Sequence, residues 1–274
     1  MEKEGLGLYL YCFYQGGDSL PHLVGIDGDN KVFVLSKDDI HAAASLVPLQ
    51  EFGPRSLEQR MEDLKWVAPR VLIHERIIEE IMAAYPVMPM RFGAIFAARD
   101  RIYELLRVNQ AEIIRFLSDI AYKEEWGVKG YINGARLEEA LKTLSPPLQA
   151  NEVKLEEVSP GQAYLVRKKR DLAVKDGLNV TAMQIAEEVF QGLVAPAVAV
   201  KGVRNKALKL EEVEEQGEMI LNAAFLVRKS DIRIFQKQVK DTEEKYLSQG
   251  LTLSLTGPWP PYNFCPVLET GINR

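Results

Sequence analysis

A chain of 274 residues, 47% hydrophobic and 27% charged with a formal net charge of -5, has enough apolar material for a sizeable core and enough length for two domains. Its acidic balance argues against a general nucleic-acid binder, which needs excess cations to displace phosphate counterions. No apolar run approaches the ~20 residues that span a bilayer, and Glu2, Lys3 and Glu4 lack the basic-then-apolar order of a signal peptide, so a cytoplasmic location with no lipid-membrane partner is expected.

Along the first half, residues 6–14 are apolar on both faces, as in a central strand. Short strands are predicted at 31–35 and 42–47, preceded by the turn residues Gly25, Gly28 and Asn30. Residues 70–85 place Ile73, Ile77, Ile81 and Ala84 on one helical face, widened by Ile78 and Met82. Pro86 and Pro89 end that helix and lead into a strand over 90–96. Two helices are predicted next, at 99–108 and 111–121, the second opened by Asn109 with Glu112 in the reciprocal capping position. A domain boundary falls near Tyr122.

In the second half a strand at 126–132 precedes an irregular stretch, 136–159. One helical stretch begins near Pro160, and another at Thr181, where Gln184 completes a capping box. Ala182, Ile185, Ala186, Val189 and Leu193 give it a buried face. Strands follow at 197–203 and 221–227, separated by an acidic run, 211–218, read as a solvated connection or short helix. Ser230 can cap a helix with Ile232, Phe235, Val239, Thr242 and Tyr246 on one stripe, which Gly250 ends. The last strand is 251–255, with Leu251, Leu253 and Leu255 alternating against Thr252, Ser254 and Thr256.

The order strand, helix, strand, strand, helix, strand is the split βαβ arrangement. The fold class predicted is therefore α+β in two domains, the second a modified ferredoxin-like antiparallel sheet with helices on one face. The boundaries are 1–122, 123–257 and a proline- and aromatic-rich tail, 258–274.

Residues that could carry chemistry are few. His74-Glu75 resembles the start of a zinc-protease motif, but Ile78 stands where the second histidine would lie one turn on. His22 and His41 have no partners at ligand spacing, and no GxSxG elbow, Walker loop or GxGxxG fingerprint occurs. Glu79 and Glu80 point in different directions from adjacent helix positions. Cys12 and Cys265 make neither a disulfide framework nor a metal spacing, so each is expected as a buried or half-buried free thiol. Arg91 is read as a structural ion-pair residue. No catalytic, cofactor or metal site is predicted.

Two features point to partners. The basic run Arg167, Lys168, Lys169 and Arg170 is either a cation spot for an acidic surface or an ordinary charged helix face. After the last strand, Gly257 permits a turn, and Pro258, Pro260 and Pro261 fix φ and remove backbone donors, so the ladder is expected to stop. Trp259, Tyr262 and Phe264 then sit on a stiff arm, which either packs over its own domain or forms a preorganised docking surface.

The segment TGPWPPYNF resembles the C-terminal signature of the gas vesicle protein L/F family, and VMPMRFGAIF, EEWGVKGYI, PGQAYLVRKKR and MILNAAFLV follow that family's order. Met88 and Met90 replace expected leucines, and 136–159 matches nothing. The resemblance implies a modified ferredoxin-like C-terminal domain and a non-enzymatic accessory role in gas vesicle assembly. It implies binding of the hydrophobic major shell protein or other accessory proteins, with aggregation limited before the subunit joins the wall. The alternative is a small-ligand enzyme with its site at the domain interface, because a fold does not settle function.

Overall fold

From Gly7 to Tyr14 every residue of strand β1 (Leu6–Tyr14) is buried, as its two-sided apolar sequence predicts. The computed structural model describes residues 5–144, 160–204 and 217–269. It is a mixed helix and antiparallel-sheet protein that divides into two compact units, Met1–Glu124 with Trp259–Arg274, and Glu125–Pro258.

In the first unit, β1 pairs antiparallel with β3 (Ile40–Pro48), and β3 with β2 (Phe33–Lys37). The other edge of β1 takes two short strands in series, β4 (Val87–Pro89) and β5 (Ile95–Phe96). The single strand predicted over 90–96 is thus corrected. Met90 N–H donates to Tyr11 O and Leu10 N–H to Ala94 O, and the chain loops out between them through Gly93 at φ 87°. A left-handed glycine allows that excursion, and Arg91 is exposed in it, with no ion pair among the described residues.

The register of β1 shifts between Leu10 and Cys12, so Phe13, not Cys12, continues the face of Leu8 and Leu10. That face packs on α4 (Arg99–Ile120), and the face of Tyr9, Tyr11 and Tyr14 packs on α3 (Leu64–Met82). Two short helices that the sequence reading did not find, Leu49–Phe52 and Pro54–Arg60, precede α3. Here α1 and α2 name those two, and α3 starts six residues before its predicted Arg70 because the Asp63 carboxylate caps it, accepting from Lys65 N–H at 3.0 Å.

Where two helices were predicted around Asn109, α4 runs unbroken. Ile102, Leu105, Leu106, Ile113, Phe116, Leu117 and Ile120 keep three-and-four spacing through the supposed break, and continuous burial outweighs a local capping signal.

The second unit holds β6 (Lys123–Ile132), α5 (Gly134–Leu144), α6 (Pro160–Val194), β7 (Ala199–Arg204), β8 (Glu218–Arg228), α7 (Ile232–Tyr246) and β9 (Leu251–Trp259). Its sheet order is β7-β8-β6-β9. One core joins Trp126, Val128 and Ile132 to Leu221, Ala223, Phe225 and Val227, with Leu251 and Leu253, and with the buried faces of α6 and α7.

Four local expectations change. The start of the irregular 136–159 stretch is helix α5, whose Leu137 is buried; residues 145–159 lie outside the described set. The two helical stretches of 160–194 are one helix, and Thr181 Oγ1 bonds Gly177 O at 3.0 Å instead of capping. Ser230 bonds Asp231 Oδ1 within a 3₁₀ turn that leads into α7. Strand β9 continues through Gly257 and Pro258 to Trp259, where a turn was expected. Gly250 does end its helical segment, at φ 84°. Of the acidic run, 211–216 is outside the described residues, and Glu218 opens β8.

Candidate functional site

The C-terminal segment is the best-defined candidate, and the structure turns most of it inward. Pro260 and Pro261 are buried, and Tyr262 N–H and Phe264 N–H donate to Pro260 O and Pro261 O, which closes a tight turn. This aims the Tyr262 side chain at the α3 face of the first unit and Phe264 at the α4 face.

Tyr262 completes a buried polar chain whose donors can be assigned. Gly93 N–H donates to Tyr9 Oη at 3.0 Å, and Tyr9 O–H to His74 Nδ1 at 3.0 Å. His74 Nε2 must carry its proton, because its 3.1 Å partner Met90 O only accepts. That N–H is shared with Tyr262 Oη at 3.1 Å, and Tyr262 O–H donates to Glu75 Oε1 at 2.8 Å. His74 is therefore neutral, with both ring nitrogens engaged by protein groups. The zinc-motif resemblance of His74-Glu75 is replaced by a structural role.

The titration behaviour follows from burial. His74, 1% exposed, is pushed down to about 4 by loss of hydration, against a small opposing effect of Met90 O. Burial raises the Glu75 carboxyl above the usual carboxylate range, while the Tyr262 bond works the other way. Burial and then the adjacent Glu75 charge hold the Tyr262 hydroxyl protonated far above its usual range.

A second clasp lies five residues beyond Phe264. Asn109, buried on α4, donates from Nδ2 to Leu105 O at 2.9 Å and to Glu269 O at 2.8 Å, and its Oδ1 accepts from Glu269 N–H at 2.8 Å. The residue that reads as a helix cap is a side-chain strand partner for the tail. Asn109→Ala is expected to cost about 1–2 kcal/mol, since Glu269 is exposed and water can replace its lost bonds; an unchanged urea midpoint would show that the clasp contributes nothing.

Cys12 is buried and Cys265 half-buried, both as free thiols. Cys265 Sγ lies 3.3 Å from Pro261 O. Of the three tail aromatics, Tyr262 and Phe264 are half-buried and Trp259 is 40% exposed.

The basic run stands apart from the tail in sequence and in unit. Arg167, Lys168 and Lys169 are exposed on α6; the Arg170 side chain falls outside the described set. The outer strands of the second sheet are β7 and β9. Among the described residues no helix is long and apolar enough to cross a membrane.

Comparison with known proteins gives consistent relatives. A family model described as "Gas vesicle synthesis protein GvpL/GvpF" matches residues 7–266. Gas vesicle protein L of Streptomyces sp. (strain CB03234) is 26% identical over 241 residues, 88% of this chain and 85% of that one. Gas vesicle protein L2 of Halobacterium salinarum is 24% identical over 272 residues, covering 96% and 93% of the two chains. The crystal structure of the gas vesicle protein GvpF from Anabaena sp. PCC7120 superposes with a TM-score of 0.68 at 21% identity, covering 98% of this chain and all (100%) of that one, a likeness of fold.

Proposed function

The chain belongs to the GvpL/GvpF family of gas vesicle synthesis proteins, and from that premise we propose that it is a non-enzymatic assembly factor that binds the hydrophobic gas vesicle shell protein and other accessory proteins. In this reading it works at the growing gas vesicle and limits shell-protein aggregation. A subunit that turns an apolar face to the gas side exposes, before assembly, both an apolar patch and a strand-edge hazard. A partner that pairs with such an edge, or covers such a patch, keeps the subunit soluble.

The observation that carries the binding mode is the outer position of β7, whose one neighbour in the described sheet is β8. An extended segment of a partner can add there through main-chain hydrogen bonds. The order β7-β8-β6-β9 also supports reading the second unit as a modified ferredoxin-like domain. Trp259 supplies an aromatic anchor with exposed surface. Tyr262 and Phe264 act in this scheme mainly by holding the segment that follows it.

The direct test is co-expression of the shell protein with and without this chain. Retention on the tagged chain and a larger soluble fraction of shell protein are expected; neither would occur if the partner were something else. The edge mode has its own test. Adjacent amides of an outer strand point alternately toward β8 and away from it, so of Val200→Pro and Lys201→Pro one leaves the β8 ladder bonds intact and removes an outward backbone donor; Val200→Ala and Lys201→Ala control for the side chains. That proline variant is expected to keep the native melting temperature and to lose capture. If the folded variant captures the shell protein as well as the parent does, strand addition at β7 is wrong.

A further inference from the structure

Helix α6 spans 35 residues, and its two halves have different surroundings. From Leu178 onward it contributes Ala182, Ile185, Ala186, Val189 and Leu193 to the core of the second unit. Over 161–177 every described side chain is exposed, including Tyr164 at 63%, Leu165 at 57% and Leu172 at 52%. That stretch is about 26 Å of helix at ~1.5 Å per residue. Its sequence includes Gly161, Val166, Val174 and Gly177, weak helix formers. Helices of this length draw most of their stability from packing of an apolar face, and here the described residues supply none.

The exposed residues are not arranged at random. At 100° per residue, Leu165 and Leu172 lie on one line of the helix, which the exposed Asp176 ends one turn further on. Lys168 and Lys169 flank the line on its two sides, whereas Arg167 lies on the opposite side of the helix. The sequence from 160 to 177 carries five cations and two carboxylates. Lys175 acts on Glu218 within the second unit, whereas Arg167, Lys168 and Lys169 form no ion pair among the described residues.

We propose that the first half of α6 is a docking helix for an acidic amphipathic helix of another protein, which packs its apolar seam on Leu165 and Leu172 and sets carboxylates against Lys168 and Lys169. A leucine recurring every seven residues supplies one of the two apolar positions of a helix-pairing heptad, and the charges beside it choose the partner. A second copy of this chain is a poor occupant, because it would set a cationic helix against a cationic helix. The charge of the segment selects an acidic partner and steers its approach. This goes beyond shell-protein capture through the sheet edge and fails separately from it, since β7 and Trp259 take no part.

The experiment uses the full chain and a synthetic 21-residue amphipathic peptide with leucine every seven and glutamates flanking, a matched peptide with lysines in the flanking positions, and vesicles of phosphatidylserine and phosphatidylcholine. Fluorescence anisotropy should show the glutamate peptide binding at least tenfold more tightly than the lysine peptide, with affinity falling as salt is raised. Leu165→Asp with Leu172→Asp should reduce that binding at least tenfold, with the thermal melt unchanged because both side chains are exposed. Equal binding of the two peptides, or binding indifferent to the double substitution, would overturn the proposal. Binding of the vesicles without binding of the glutamate peptide would overturn it in favour of an anionic membrane surface. A concentration-dependent dimer abolished by the double substitution would overturn it in favour of self-association.

Discussion

A chain ending at Pro258 is expected to lose about 5 kcal/mol of stability from its first unit and to leave the second unit nearly as stable as before. Loss of Tyr262 removes a hydroxyl bonded to a carboxylate, an interaction of about 1.5–3 kcal/mol. It also uncovers part of the α3-side cluster, and loss of Phe264 and Leu268 uncovers part of the α4-side cluster, at roughly 25 cal/mol per Å² of apolar surface returned to water. The Asn109 amide then sits in an apolar setting with Leu105 O as its remaining partner. Since whole domains are stable by about 5–15 kcal/mol, a cut of this size brings the first unit close to unfolding. Hydrogen exchange separates the two units in one sample: amides of β1 and α4 should lose protection by several orders of magnitude, and those of β8 should keep it. Uniform protection in the truncated chain would mean that the tail rests on the first unit without supporting it.

Acid is expected to weaken the first unit through His74. The native imidazole titrates at about 4 and the unfolded one near 6.5, so between those values the unfolded state binds more protons. The stabilising effect of a neutral His74 is complete above about pH 6.5 and is lost as pH falls toward 4, by which point the loss is about 3 kcal/mol. Glu75 has the opposite sign. Its raised native pKa favours the folded state at low pH and that preference fades as pH rises through the raised value, so it returns part of what His74 loses. The other groups facing the imidazole, Tyr9 and Tyr262, stay protonated throughout. The measurement is the urea stability of parent and His74→Gln at pH 7, 5.5 and 4, repeated in a Glu75→Gln background. The gap between parent and His74→Gln should shrink with acid, and without Glu75 the parent itself should lose stability more steeply as pH falls. A constant gap would place the acid sensitivity elsewhere.

These expectations have a consequence for function, because the same segment carries Trp259 and the anchors that hold it. Substituting Tyr262 or Phe264 perturbs the first unit as well as any docking surface, so a loss of capture in those variants does not identify a contact. Any test of Trp259 as the proposed anchor therefore pairs Trp259→Ala capture with its melting temperature, since Trp259 is 40% exposed and otherwise covered.

Local patterns determined much of this protein. The two-sided apolar run of β1, the alternation of Leu251, Leu253 and Leu255, the stripe of α7 and the glycine stop at Gly250 each follow from the period or the φ preference of a few neighbouring residues. The TGPWPPYNF segment likewise pointed to the family that the whole-chain match supports. The continuity of α4 was legible in the three-and-four spacing of its apolar residues and was hidden only by a competing capping signal at Asn109.

What the tertiary structure alone decided are contacts across great sequence distance. Tyr9, His74 and Tyr262 are separated by 65 and 188 positions and meet in one hydrogen-bonded chain, and Asn109 meets Glu269 across 160. A polar side chain near an apolar run reads locally as a cap, a motif fragment or a solvated group, since each of those needs only its neighbours. Its true partner is set by which surfaces the folded backbone brings together. The same reason separates the halves of α6: both are helix, but whether a helical face is covered depends on what packs against it.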